Sequence, residues 1–172
     1  MNYKEKLKDI QLFCFDVDGV FTDNIVYLTA DGDQMRTANV KDGYAVQLAV
    51  KKGIQIAIIS GGKSEPVRKR FEMLGVREIH LGAADKWTVY QDLILRLSLT
   101  NEQVCYMGDD IPDYPIMKQI GLAVCPSDAA PEIKSVAHYI SPFAGGSGCV
   151  RDILEQCLKV KGLWFDEESL HW

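Results

Sequence analysis

A three-layer α/β sandwich built on one central parallel sheet is the fold class this sequence predicts. Three observations carry it. Short apolar runs of strand length alternate with helical patterns along the chain, as βα units do. The runs are nearly continuous rather than alternating, as expected of strands covered by helices on both faces. No repeat, low-complexity tract or Pro/Ser-rich linker divides the 172 residues, and at about 150 residues per domain that is one Rossmann-like domain.

The elements follow in order. A first strand is read at Ile10–Phe15, ending on Asp16. Residues Asn24–Val40 then break the alternation, with two β-leaning arms around Asp31-Gly32. That dipeptide favours a hairpin turn, so this segment is read as a hairpin projecting from the sheet. Further strands are expected at Ile54–Ile59, Glu78–Leu81, Val104–Met107, Leu122–Val124 and His138–Ile140. Helices are expected near Gly43–Lys52, Ser64–Leu74, Lys86–Leu97, Asp113–Ile120 and Gly148–Lys159. The domain is taken as 1–161 and residues 162–172 as a tail. Leu163, Trp164, Phe165, Leu170 and Trp172 stand among acids there, and such aromatic density should dock on a surface.

Composition narrows the function classes. Apolar residues make up 47% and charged residues 25%, ordinary for a globular domain and unlike a disordered, collagenous or coiled-coil chain. A net charge of −5 leaves no basic footprint for nucleic acid or an anionic membrane. The apolar runs fall short of the roughly 18 residues that span a bilayer. Met1–Ile10 has no signal-like stretch, so the cytoplasm is the expected compartment. The five cysteines are odd in number and form no C-x-x-C pair, which suits buried hydrophobes better than a disulfide or zinc framework. His80, His138 and His171 show no ligand spacing, and Phe13, Phe15 and Tyr106 read as core.

In open α/β sheets ligands bind beyond the carboxyl ends of the strands. The residues at those ends are Asp16 and Asp18, Ser60 with Gly61 and Gly62, Lys86 shortly after Gly82, and Asp109 with Asp110. Acids, a hydroxyl, small residues and one lysine on a single edge suit a phosphate and a divalent metal. Of the two D-x-D pairs, Asp31 and Asp33 belong to the hairpin turn. Asp16 and Asp18 close a buried apolar strand, where a carboxylate must be solvated, paired or metal-bound. Gly19 after them permits a tight turn.

The ordered set DVDGVFTD (16–23), Ser60, Lys86 and GDDIPD (108–113) resembles the haloacid dehalogenase superfamily of phosphotransferases over nearly the whole chain. The resemblance implies that Asp16 is the nucleophile, forming an aspartyl phosphate, and that Asp18 is the general acid and then base. It implies that Ser60 and Lys86 hold the phosphoryl group. Asp16, the Asp18 carbonyl and Asp109 would bind Mg²⁺, a hard cation suited to oxygen ligands. Asp113 would orient Lys86 or the metal shell, with Asp110 nearby. A receiver domain combines similar residues, but its acceptor aspartate would end the third strand, and Ser60 stands in the corresponding place. A non-catalytic binding domain would be expected to have lost one of these groups.

Larger members of the superfamily insert a cap domain. Here 43 residues separate Asp16 from Ser60 and 25 separate Ser60 from Lys86, which leaves no room for one. With the hairpin and the phrases NVKDGYAVQLAVKKGIQIAIISGGKSEPVRKR, AADKW, YMGDDIPDYPIM and GGSGCVRDILE, the chain is similar to a cap-less subfamily hydrolysing 2-keto-3-deoxy sugar-acid phosphates. That resemblance implies a homotetramer assembled through the hairpins, a neighbouring subunit closing each site, and a role in lipopolysaccharide sugar synthesis. Separately, the tail aromatics Trp164, Phe165 and Trp172 are expected to cover a neighbouring site as a substitute lid. The resemblance offers two substrates, 3-deoxy-D-manno-octulosonate 8-phosphate and nine-carbon 9-phosphates. Relatives acting on nine-carbon acids share a glutamate two residues after the motif hydroxyl and a lysine along the next helix. This chain has Gly62 and Met73 there, which favours the eight-carbon acid. Gly61 and Gly62 would bring backbone amides to the sugar, and Arg70 would pair with its carboxylate.

Overall fold

The computed structural model describes residues 2–172 and shows a six-stranded parallel sheet. Its strands are β1 (Leu12–Phe15), β4 (Gln55–Ser60), β5 (Glu78–Leu81), β6 (Val104–Met107), β7 (Leu122–Cys125) and β8 (Tyr139–Ile140), in the order β5-β4-β1-β6-β7-β8. Every pairing within this sheet is parallel. Because the order runs outward from β1 in both directions, the crevice where a ligand binds an open sheet lies at the carboxyl end of β1, between β4 and β6.

Side chains of β1 alternate between two cores. Phe13 and Phe15 pack with α2 (Val40–Lys51), α3 (Glu65–Met73) and α7 (Cys149–Val160) on one face. Leu12 and Cys14 pack with α4 (Lys86–Leu97), α5 (Tyr114–Met117) and α6 (Pro131–Val136) on the other. All five cysteines are buried free thiols in these two cores.

Capping explains most departures from the expected boundaries. The helix read from Gly43 begins at Val40 because the Asn39 side chain accepts from Lys41 N at 2.8 Å and Asp42 N at 3.3 Å. The helix read over Asp113–Ile120 is shorter: a 3₁₀ turn at Ile111–Asp113 precedes α5, which ends at Met117. Two short helices, α1 (Tyr3–Lys6) and α6, fall where none was expected. The hairpin is present, but only Tyr27–Leu28 (β2) and Gln34–Met35 (β3) pair, around Gly32 at φ +86°.

The tail lies along its own chain. Trp164 and Trp172 meet the Tyr44 ring edge-on at 6.2 and 5.6 Å, and Arg151 stands 5.0 Å over the Trp164 ring. Lys52 pairs with Asp166 and Glu168. Of the three tail aromatics expected to form a lid, Trp164 and Trp172 are therefore engaged on α2 and α7, because Tyr44 and Arg151 offer a flat docking surface in cis. Phe165 and Trp172 nevertheless stay 83% and 60% exposed.

Candidate active site

The crevice at the end of β1 is a cavity of about 510 Å³ lined by Asp16, Asp18, Ser60, Lys86 and Asp109 among others. Asp16 leaves β1 still tied to the sheet, its N–H donating to Met107 O at 3.1 Å. One carboxylate oxygen accepts from Val17 N at 2.6 Å and the other lies 2.6 Å from the Lys86 ammonium. Lys86 is the first residue of α4, whose N-terminus Asp85 caps. Its ammonium also donates to Asp113 Oδ1 at 2.7 Å, an oxygen that accepts from Tyr106 OH at 2.6 Å. Tyr106 is buried as expected of a core residue, yet its hydroxyl reaches the site. Asp113 Oδ2 receives Asp109 N at 3.1 Å, so Asp113 is wholly committed to orienting its neighbours.

Electrostatics in this pocket are set by burial. Desolvation pushes the Asp16 carboxyl up to about 7, with the Asp113 charge adding to it and Lys86 opposing. Burial raises Asp109 to about 6, against the hydrogen bond from Asn24. Desolvation disfavours the Lys86 charge, but Asp113 and Asp16 outweigh it and hold the ammonium above its ordinary value. Buried carboxylates of Asp16, Asp109 and Asp113 come within 4.8 Å of one another and face one ammonium. An all-oxygen donor set with surplus negative charge fits a hard divalent cation. Asp16 and Asp109 line the cavity and could hold it there, whereas Asp113 stands behind them and does not line it. Gly19, at φ +79°, makes their approach possible: a Cβ there would stand 1.9 Å from Asp109 Oδ2.

The remaining expected residues divide. Ser60 is buried at the end of β4, its Oγ accepting from Gly62 N at 3.3 Å, and Gly61 and Gly62 line the same cavity. Asp110 lines the rim and caps the 3₁₀ turn through Ile111 N at 2.8 Å. Arg70 is not brought to the acids. It lines a second, mostly apolar cavity of about 400 Å³ under the hairpin, where the missing Cβ of Gly43 leaves room for its guanidinium.

Two site contacts had no signal in the sequence. Asn24, at φ +64°, donates to Asp109 Oδ2 at 2.9 Å. Arg36, from the end of the hairpin, grips Asp18 with both prongs of its guanidinium, Nε to Oδ1 at 2.6 Å and Nη2 to Oδ2 at 3.0 Å. No spacing rule links position 36 to position 18; only the return of the hairpin does.

A buried aspartate beside a lysine, a hydroxyl and a second acid, all at the switch point of a parallel sheet, defines a phosphohydrolase of the α/β class. The comparisons agree: a family profile described as haloacid dehalogenase-like hydrolase matches residues 75–151. The 3-deoxy-D-manno-octulosonate 8-phosphate phosphatase KdsC of Escherichia coli K12 is 36% identical over 157 residues, 91% of this chain and 84% of that protein. The crystal structure of the Moraxella catarrhalis phosphatase of the same name, in complex with magnesium ion, phosphate ion and KDO, superposes with a TM-score of 0.91 at 32% identity, covering 95% of each chain. The cobalt-bound Haemophilus influenzae relative gives 0.89 at 30%, covering 96% of this chain and 98% of that one. The chain belongs to the family of 3-deoxy-D-manno-octulosonate 8-phosphate phosphatases within the haloacid dehalogenase-like hydrolases, and it is a phosphatase.

Proposed function

We propose that this enzyme hydrolyses 3-deoxy-D-manno-octulosonate 8-phosphate, releasing inorganic phosphate in a cytoplasmic step of lipopolysaccharide sugar synthesis. The observation that carries the reading is the Asp16–Lys86–Asp113 chain of contacts at the end of β1, on a fold shared with relatives of that name.

Asp16 attacks phosphorus, the ester P–O bond breaks, and an aspartyl phosphate forms. Asp18 gives its proton to the departing sugar oxygen, then takes one from the water that attacks the aspartyl phosphate and frees Asp16. Ser60 Oγ holds a phosphoryl oxygen, and the Gly61-Gly62 turn lets the backbone approach the sugar. Lys86, kept charged and in place by Asp113, offsets the negative charge of nucleophile and phosphate together. A magnesium ion would be held by Asp16, Asp109 and the Asp18 carbonyl. When bound it supplies the positive charge that lets a carboxylate approach a phosphate dianion. No cap covers the cleft, and a homotetramer in which a neighbouring subunit closes each mouth would exclude water instead.

Initial rates with Mg²⁺ should show kcat/KM for the eight-carbon 8-phosphate well above that for a nine-carbon 9-phosphate. Asp16→Asn should fold normally and lose at least 10³-fold in kcat, the scale of losing a nucleophile. A preference for the nine-carbon ester would overturn the substrate assignment, and an active Asp16→Asn the mechanism.

A further inference from the structure

Asn24 holds a conformation that its place in the chain does not explain. Among the described residues only Asn24 and Ser98 adopt positive φ without being glycine, at +64° and +55°. Ser98 closes α4, its N–H bonded to Ile94 O and Leu95 O, an ordinary use of the left-handed region at a helix end. Asn24 ends no helix. It leads from the turn after Asp16 into the hairpin, where glycine would sit without strain. Asparagine usually tolerates this region by bonding its side chain to nearby backbone. The Asn24 amide goes elsewhere: Nδ2 donates to Asp109 Oδ2 at 2.9 Å, 85 residues away. It passes directly over Gly19, where a Cβ would stand 2.5 Å from Nδ2 and 1.9 Å from Asp109 Oδ2. Both side chains line the cavity that holds Asp16.

Asp109 depends on that contact for its orientation. Its backbone is pinned on both sides, N–H donating to Asp113 Oδ2 at 3.1 Å and O accepting from Ala130 N at 2.8 Å. Its carboxylate has Asn24 as its one hydrogen-bond partner among the described residues. With the backbone fixed, rotation about the side-chain bonds is the freedom that remains, and the amide removes it. The amide also occupies one of the two carboxylate oxygens. Partners that orient a ligating group tune the affinity of a metal site. Mg²⁺ demands a near-ideal octahedral shell, whereas the larger Ca²⁺ takes more oxygens in a flexible one and accepts both oxygens of a carboxylate. A carboxylate tied through one oxygen to an amide offers the other in a single direction, which suits the smaller ion. We propose that Asn24 is a positioning residue for metal choice: by holding Asp109 Oδ2 it restricts Asp109 to one-oxygen coordination and makes the site prefer Mg²⁺ to Ca²⁺. The inference rests on the magnesium site of the phosphatase reading and deepens it.

Calorimetric titration of chelator-stripped protein with Mg²⁺ and with Ca²⁺ measures both Kd values, in the wild type and in Asn24→Gly. Glycine keeps the left-handed backbone and removes only the amide. Mg²⁺ should bind the variant about tenfold more weakly and Ca²⁺ less than about threefold, so that the gap between the ions narrows. Melting in chelator should stay within about 4 °C of the wild type, because the amide acts on the cation rather than on the fold. Asn24→Ala, which loses the same amide but strains the backbone, should melt below Asn24→Gly and show the same narrowing. An unchanged Kd for Mg²⁺ in Asn24→Gly would overturn the inference, and so would equal weakening of both ions. A large fall in its melting temperature in chelator would assign Asn24 to the fold and overturn it too. A wild type that binds neither ion would sink the magnesium site and this inference together, whereas equal weakening leaves the phosphatase reading standing.

Discussion

Asp42 shows how much a single side chain can cost where it is structurally required. It is fully buried in α2, and one oxygen accepts from Arg151 N at 2.7 Å, stitching α2 to the start of α7. The other oxygen, Oδ2, is the buried side-chain atom left without a partner among the described residues. Burial raises its carboxyl to about 6, against the backbone hydrogen bonds from Arg151 and Gly148. A folded-state value above the unfolded one, about 3.9, means that the folded protein binds the proton more tightly. Asp42 therefore stabilises the fold below about pH 4, and this contribution is lost as the pH rises through about 6. Asp42→Asn keeps the acceptor for Arg151 N and removes the charge. The variant should gain on the wild type between pH 4.5 and 7 by on the order of 1–3 kcal/mol, since one pKa unit is 1.36 kcal/mol. Denaturant unfolding at the two pH values measures it, and a constant difference between the proteins would refute the assignment.

At the scale of elements, the loop Gly145–Gly148 explains why a glycine-rich phrase precedes the last helix. Gly146 N donates to Val20 O at 2.9 Å, and a Cβ on Gly145 would stand 2.1 Å from Gly19 O. The loop lies directly on the turn that follows Asp16, and Asn39 Nδ2 ties it to the start of α2 through Gly146 O at 3.0 Å. The tail is another such strap, held by Tyr44, Arg151 and Lys52. Burying the Trp164 ring against α2 and α7 contributes about 2 kcal/mol. Truncation after Gly162 should accordingly lower the melting temperature by roughly 5 °C. An unchanged melting curve would show that the tail contributes nothing to its own subunit.

At the scale of the molecule, the apolar surface of the hairpin asks for a partner. Tyr27, Leu28 and Met35 are 53%, 79% and 56% exposed, a cluster that a single chain has no core to bury. Sedimentation at micromolar concentration should report four copies under the proposed assembly. Leu28→Asp should shift the protein to smaller species while the circular dichroism of the fold is kept. A wild-type monomer at that concentration would sink the tetramer. Among the described residues no helix is long and apolar enough to cross a membrane.

Strand-length apolar runs, the acids that end β1 and β6, Ser60 at the end of β4 and Lys86 at a helix start were all legible in the sequence. Each sits at a position that local pattern and strand polarity dictate, and the order of the motifs along the chain places them on one edge of the sheet. The short helices α1 and α6 were not legible, because four to six residues carry too little periodicity to register. Nor were the grip of Arg36 on Asp18, the bond from Asn24 to Asp109, or the seat of Arg70 in the neighbouring cavity. Those depend on how a hairpin folds back over a cleft, and on which long side chain reaches it first. Distances between residues far apart in the chain are set by packing, and only the tertiary structure decides them.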